Sequence, residues 1–438
     1  MVDNNIDDNV PLETTGDIER ALNGLQRAIA VADEMFIRKV PVRGKFLEID
    51  PNTRYIIRLR NIYRRQFQRS GELSKKHAAA LLTKVIHFRL NAIKNRNFER
   101  EIHNLKDHSR PFWKVTKVLK SRPKPIPPLK AGDALMITTS EKANLLSEKF
   151  SHSHAIGLSF RSPFEQRVEH CIQNLDAIPS HLPNEQKVNI DQVRSAIKFT
   201  KNMKAPGFDG IFNIVIKKLN DKVYALLANL FNRCMELHYY PSVWKTAKII
   251  PVVKPGKDPT LPSSYRPISL LPALSKLFEK LLLDRLLEFI NENNIIPPEQ
   301  FGFRRGHSTI HQLLRLKNKI FEHKAVSKST AMALLDVEKT FDNVWHDGLI
   351  YKLCLFNIPG YLVKIIRNYL KDRTFRVSLG SVDSGNCLIP AGVPQGSLLG
   401  PILYNIFTSD FPNLQLDVII SSLRIILLSQ LKEEPHGN

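Results

Sequence analysis

Two apolar periodicities alternate along the C-terminal half of the chain. From Pro272 onward, Leu274, Leu277, Phe278, Leu281 and Leu282 fall at i, i+3, i+4, i+7 and i+8, the stripe of a helix laid on a core. The same spacing predicts helices over 140–152, 188–200, Asp221–Leu237, Ser308–His323 with Ser308 as N-cap, and Glu338–Leu355. Short runs rich in β-branched residues predict strands at Lys245–Val253, Tyr265–Leu271 and Thr330–Val337. Arg376–Gly392 reads as a hairpin turning near GSVDSG, and Leu398–Phe407 as a short helix with Pro401 in its first turn. Hairpin, two helices, strand, helix, hairpin and helix in that order predict an α+β fold rather than a regular doubly wound one.

Charge divides the N-terminal part. The whole chain carries +22 over 438 residues, enough length for two or three domains. Residues 1–50 are acid-rich and then mixed. Arg54–Lys124 holds 20 Lys/Arg against 4 Asp/Glu, a net of +16, on helical spacing with aromatics interleaved. Such a segment suits a polyanionic backbone, because each Lys or Arg that neutralises a phosphate releases a counterion. A helical bundle with a basic solvated face is the plainer alternative. The stretch SRPKPIPPLKAGD (Ser121–Asp133) has too many prolines for a helix or central strand and reads as a linker. The expected division is 1–125 (acidic start, then basic helices), 126–190 (linker and helical connection), 191–411 (the α+β region) and 412–438 (tail).

Composition excludes several classes. The four cysteines are scattered, with no metal-ligand spacing and no disulfide framework. The start MVDNNIDDNV has no apolar signal-peptide core, and Asp417 and Arg424 break the most apolar tail stretch before it reaches spanning length. The expectation is a soluble protein of the cytoplasm or nucleus, with no membrane partner. No Gly-Lys-Ser/Thr phosphate loop, Gly-x-Ser-x-Gly elbow or HExxH pair is present.

The candidate chemistry begins at ALLDVEKTFDNV. Asp336 ends an apolar strand, where an ionised carboxylate is costly unless paired or metal-bound, and hard oxygen ligands suit Mg²⁺. Taken alone, an aspartate in this position is more often a helix cap than a metal ligand. Asp342 reads as a helix-surface acid, Glu338 as support for the helix dipole, and Phe341 as a core aromatic or as a floor under a sugar. In AGVPQGSLLGP, Gly392, Gly396 and Gly400 flank Gln395, a combination allowing close backbone approach to a ligand or merely a hairpin-to-helix turn. Lys254, Lys257 and Arg266 surround a turn-rich loop that is a candidate triphosphate clamp. Lys204 in KNMKAPGFDGI, and Arg304 and Arg305 in QFGFRRGHST, are further candidate phosphate contacts.

In this order, KAPGFDGI, SSYRPISLLPALSKLFEKLLLDRL, EQFGFRRGHST, LLDVEKTFDNVWHDGL and AGVPQGSLLGPILYNIF resemble the reverse transcriptase region of non-LTR retrotransposons, most closely the jockey type. The resemblance covers roughly Asp191–Phe411. It implies a right-hand polymerase with fingers and palm. Such an enzyme copies an RNA template into DNA from a DNA primer and deoxynucleoside triphosphates, using Mg²⁺ or Mn²⁺. Asp336 then matches the first catalytic carboxylate, with the Val337 carbonyl sharing the metal. Lys254, Arg266, Phe341, Gln395 and Gly396 match the nucleotide-facing positions; Arg304, Arg305 and Lys204 match the template side. The family's next landmark, an Ala-Asp-Asp hairpin, has no counterpart in TSDFPNLQLDVIISSLRIILLSQLKEEPHGN. The expectation is therefore a C-terminally truncated copy without a thumb that does not polymerise. The alternatives are a non-catalytic nucleic-acid-binding remnant and, less favoured, an unrelated metal-dependent phosphotransferase.

Overall fold

The computed structural model describes residues 12–36, 49–103, 126–152, 162–202, 204–326, 329–334, 340–410, 418–422 and 425–431. The chain divides into two compact units: residues 37–125, and residues 1–36 together with 126–438. The acidic start thus groups with the C-terminal part, whereas its charge pattern had joined it to the basic region. Helix α1 (Thr15–Phe36) explains why. Ile18, Leu22, Leu25 and Ile29 form a fully buried stripe that enters the main core.

The smaller unit is a helical hairpin of α2 (Pro51–Ser70) and α3 (Leu73–His103). Asp50 caps α2 by accepting from the Thr53 amide at 2.8 Å, and Pro51 occupies the first turn. Gly71 ends the helix in the left-handed region at φ 70°, donating its N–H to the Phe67 carbonyl. Few of the hairpin's apolar side chains are buried: Ala79 and Ile86 are, while Tyr55, Leu81 and Phe88 are exposed.

In the larger unit, β1 (Leu129–Ala131) and β2 (Ala134–Met136) form a hairpin at the end of the proline-rich stretch. Helices α4 (Thr139–Ser151) and α5 (Pro163–Gln173) follow, both opened by complete capping boxes. Then come α6 (Ile190–Phe199), the one-turn α7 (Asn213–Ile216) and α8 (Asp221–Glu236). Strands β3 (Thr246–Val253) and β4 (Tyr265–Leu270) pair antiparallel. Helices α9 (Ala273–Glu292) and α10 (Thr309–Ala325) precede β5 (Ser329–Leu334). Next come α11 (His346–Leu355), α12 (Gly360–Leu370), β6 (Thr374–Leu379), β7 (Val382–Asp383) and β8 (Cys387–Leu388). Helix α13 (Gly400–Phe407), β9 (Val418–Ser422) and β10 (Ile425–Leu431) complete the described elements.

Besides the β1-β2 hairpin, the described strands form two larger sheets. One has the order β4-β3-β6-β7, with β8 also on β6; β3 and β6 run parallel. Its inner face packs Ala247, Ile249, Tyr265, Phe375 and Val377 against Leu146 and Phe150 of α4. The other sheet is β5-β10-β9, antiparallel, with Leu334 opposite Ile426. The helical core lies on α8, α9 and α12. Phe231 and Phe278 stack at 5.0 Å, and Tyr240 meets Phe278 at 5.7 Å and Tyr369 at 4.9 Å. Offset and edge-on ring pairs of this kind add to simple area burial.

One expected element is corrected. The predicted helix Glu338–Leu355 does not run through: residues 340–343 are turn, and α11 begins at His346. Residues 335–339 lie outside the described residues.

Helix α9 has no side-chain cap of its own, because Pro272 stands at its N-cap. Asp209, from the KAPGFDG turn, lies half-buried close to the Ala273 amide at the start of the helix. The Ile211 amide donates to Asp209 Oδ1 at 3.4 Å, while burial, the larger effect, raises the Asp209 pKa from 3.8 to about 6.

Two outcomes follow. Phe278→Ala removes the centre of the ring cluster and costs about 3–5 kcal/mol, read from urea unfolding. The folded state holds the Asp209 proton more tightly than the unfolded chain, so its contribution is largest in acid and fades as pH rises to about 6. The wild type should therefore lose stability relative to Asp209→Asn between about pH 4 and pH 6, and paired denaturation curves across that range check it.

Candidate functional site

The turn Ala391–Leu398 is where separate sequence blocks meet. The Gly392 amide donates to the Val344 carbonyl at 2.8 Å and the Val393 amide to the Phe341 carbonyl at 2.7 Å. The Ser269 amide of β4 donates to the Gln395 carbonyl at 3.1 Å. The Leu398 amide donates to Glu279 Oε2 of α9 at 2.6 Å. Segments far apart in sequence are thereby fixed around one turn.

Two glycines make the approach possible. Gly392 has φ +90°, and a Cβ there would sit 2.6 Å from the Asp342 carbonyl oxygen. Gly396 has φ +110°, and a Cβ would sit 2.8 Å from the Ser269 carbonyl oxygen. Both the positive φ and the contact exclude larger residues. These positions were visible in the sequence as a glycine pattern. What each glycine approaches was not.

Gln395 donates from Nε2 to Asp342 Oδ1 at 2.7 Å. Asp342 is therefore not the helix-surface acid its spacing suggested: it is buried, in a turn rather than a helix, and holds the glutamine carboxamide. Phe341 is half-buried, with its ring 5.5 Å from Phe303 and 5.4 Å from Tyr404. Phe303 belongs to the QFGF block, which is tied to α13 by Gln300 Nε2 donating to Asn405 Oδ1 at 2.8 Å and Asn405 Nδ2 donating to the Gly302 carbonyl at 2.9 Å.

The remaining candidates divide by exposure. Arg266 stands exposed on the outer face of β4, opposite Val252. Lys254 donates through Nζ to the Ser263 carbonyl at 2.9 Å, bracing the loop between β3 and β4. Arg304 is half-buried and donates to the Pro297 carbonyl at 3.2 Å, whereas Arg305 is exposed. Lys204 is exposed, and its charge helps to lower the pKa of Lys276, for which burial is the larger cause. Asp336, Val337, Glu338 and Asp417 lie outside the described residues. Among the described residues, no group of three His, Cys, Asp or Glu side chains is placed to hold a metal ion, and no helix is long and apolar enough to cross a membrane.

Sequence reading missed Glu279. It is fully buried, its pKa raised by that burial and drawn back by the Leu398 amide and Arg373. Its signal was available: with Ser275, Leu282 and Leu286 it lies on the apolar stripe of α9, where an acid needs a partner.

Residues 252–427 match the reverse transcriptase (RNA-dependent DNA polymerase) family. The chain is 33% identical over 420 residues to the probable RNA-directed DNA polymerase from transposon BS of Drosophila melanogaster, covering 92% of this chain and 45% of that protein. It is 33% identical over 430 residues to the RNA-directed DNA polymerase from mobile element jockey of Drosophila funebris, covering 93% and 45%. With the jockey polymerase of Drosophila melanogaster it shares 35% identity over 374 residues, 84% of this chain and 40% of that protein. The chain thus spans less than half the length of these relatives. With the chief sequence blocks gathered on one glycine-lined turn, the chain belongs to the reverse transcriptase family and is similar over most of its own length to the RNA-directed DNA polymerases of mobile elements.

Proposed function

We propose that this chain forms the template- and nucleotide-facing surface of an RNA-directed DNA polymerase of a non-LTR element. In this reading the β4-β3-β6 sheet belongs to the fingers and the β5-β10-β9 sheet to the palm. The single observation that carries it is the anchoring of the Ala391–Leu398 turn by five hydrogen bonds to residues 341–344, Ser269 and Glu279. That anchoring supports a rigid floor for a base pair: Gln395 and Gly396 line it, Phe341 bounds the sugar, and Arg266 contacts the triphosphate. Lys254 braces the loop beside it. Lys204, Arg304 and Arg305 lie on the template side.

Asp336 follows the last residue of β5 by two positions, and with the Val337 carbonyl it would hold Mg²⁺ or Mn²⁺. Such an ion, when bound, neutralises charge on the triphosphate. Between Asp336 and Asn438 no two aspartates are adjacent. One carboxylate in place of a pair leaves the positive charge of two ions undercompensated, so we infer that the chain as given does not polymerise.

A second reading, binding without catalysis, draws on α2. It carries six arginines and no acid. Arg54, Arg58, Arg65 and Arg69 are all exposed and fall on one face, spanning about 22 Å along the axis. Such a ladder suits a phosphate backbone.

Primer extension on an RNA template with Mg²⁺ should give no product, while filter binding should show RNA affinity that falls steeply with salt. Template-dependent extension abolished by Asp336→Ala would overturn the inactivity and support the catalytic assignment. Absence of RNA binding would overturn both readings. Gly392→Ala presses on the Asp342 carbonyl and should destabilise the fold by about 1–3 kcal/mol in urea titration.

A further inference from the structure

Helix α10 buries a largely polar side and exposes an apolar one. Its buried side chains are Gln312, Leu316 and His323. Ile310, Leu313, Leu314, Ile320 and Phe321 are all between 40% and 65% exposed. They fall at i, i+3, i+4, i+10 and i+11, one stripe that runs about 17 Å along the helix. Single exposed aliphatic residues are ordinary on a protein surface. A contiguous stripe of five on one helix is a surface made for contact.

The charges around the stripe are nearly all positive. Helical spacing places Lys317 and Lys324 within it. Lys317 stands over the Phe321 ring at 5.5 Å, and among the described residues neither lysine has a carboxylate partner. Leu314, at one edge of the stripe, also borders a cleft of about 530 Å³ that His311, Arg315 and Lys319 line. Arg315 Nη1 is enclosed, with no hydrogen-bond partner among the described residues, and Nη2 reaches Glu299 only at 3.7 Å. Glu322, the acid of this cleft, is already bonded to Lys319 at 2.6 Å. An enclosed guanidinium N–H without an acceptor is costly, and a carboxylate is the acceptor that matches its planar fork.

This pattern selects the occupant. A second copy in a two-fold contact would set Lys317, near the middle of the stripe, against itself, and like charges across an interface oppose association. Nucleic acid would answer the cations but leave the aliphatic stripe in water. A helix with apolar residues at i, i+3, i+4 and i+7 and Asp or Glu beside them answers both.

We propose that α10 docks an acidic amphipathic helix of a partner protein. The partner's apolar side chains cover the stripe from Ile310 to Phe321, and its carboxylates meet Lys317, Lys324 and Arg315. None of these residues belongs to the nucleotide- or template-facing set, so the docking surface stands or falls apart from the polymerase reading.

Fluorescence anisotropy with the full chain tests it, using a labelled peptide of about five helical turns with Leu at i, i+3, i+4 and i+7 flanked by Glu. One control scrambles that composition, and the other keeps the Leu pattern with Lys in place of Glu. The acidic amphipathic peptide should bind at least about tenfold more tightly than either control. Leu313→Asp, at an exposed position, should leave urea unfolding unchanged and weaken that binding on the order of tenfold. Lys317→Glu should weaken the acidic peptide and strengthen the lysine peptide. Equal binding of the three peptides, undiminished binding by Leu313→Asp, or an unchanged preference in Lys317→Glu overturns the proposal. Failure of the acidic peptide together with Leu313-dependent sedimentation on phosphatidylserine vesicles, or with Leu313-dependent dimers in analytical ultracentrifugation, overturns it in favour of a membrane or a second copy.

Discussion

A buried carboxylate organises this protein. Glu279 sits wholly inside the helical core, one helical turn from Ser275, whose hydroxyl lies 2.8 Å from the Tyr240 hydroxyl. Burial alone disfavours its charge. What offsets that cost is the Leu398 amide at 2.6 Å and the field of Arg373, itself fully buried. An apolar residue of the same volume would pack there without a penalty, but it would offer the 391–398 turn nothing to bond to. The acid therefore trades packing for orientation. It draws the start of α13 and the end of the glutamine–glycine turn onto α9 at one fixed place.

Close backbone contact completes what that hydrogen bond begins. Gly392 rests on the carbonyls of residues 341 and 342, Gly396 on that of Ser269, and Gly207 on the junction of Leu271 with Pro272. At each of these points backbone meets backbone at a distance no side chain tolerates. The reward is short-range rigidity. The carboxamide of Gln395 is held by Asp342, the ring of Phe341 is wedged between Phe303 and Tyr404, and the ring of Phe208 is carried over an open sheet face. Under the proposed function such preorganisation would serve binding, because ordering these groups on contact with a ligand would consume part of the affinity.

Much of the fold was legible along the chain. The stripe Leu274–Leu282 gives α9, Ser308 caps α10 by accepting from the His311 amide, and the β-branched runs give β3 and β4 within a residue of their ends. Where reading along the chain fell short, tertiary contacts had outweighed local spacing. The residues around Asp342 have helical periodicity, yet the Phe341 and Val344 carbonyls are taken by the 391–398 turn, which leaves them no helical partners. The stripe of α1 was hidden within an acidic segment whose charge drew more notice than its four aligned aliphatic residues.

The sequence by itself determined the kinds of residue at the site: the family blocks, the glycines, the lone carboxylate after β5 and the concentration of positive charge in α2 and α3. These follow from residue identity and local spacing, which a chain carries whether folded or not. Only the tertiary structure decided which groups face one another. That Asp342 holds Gln395, that Glu279 receives the Leu398 amide, and that Lys248 and Arg376 stand over Phe208 are pairings across dozens to more than a hundred residues. No local pattern encodes such pairings. They arise when burying the apolar stripes of α8, α9 and α12 brings distant polar groups within reach, where each must find a partner or lose its hydration unpaid.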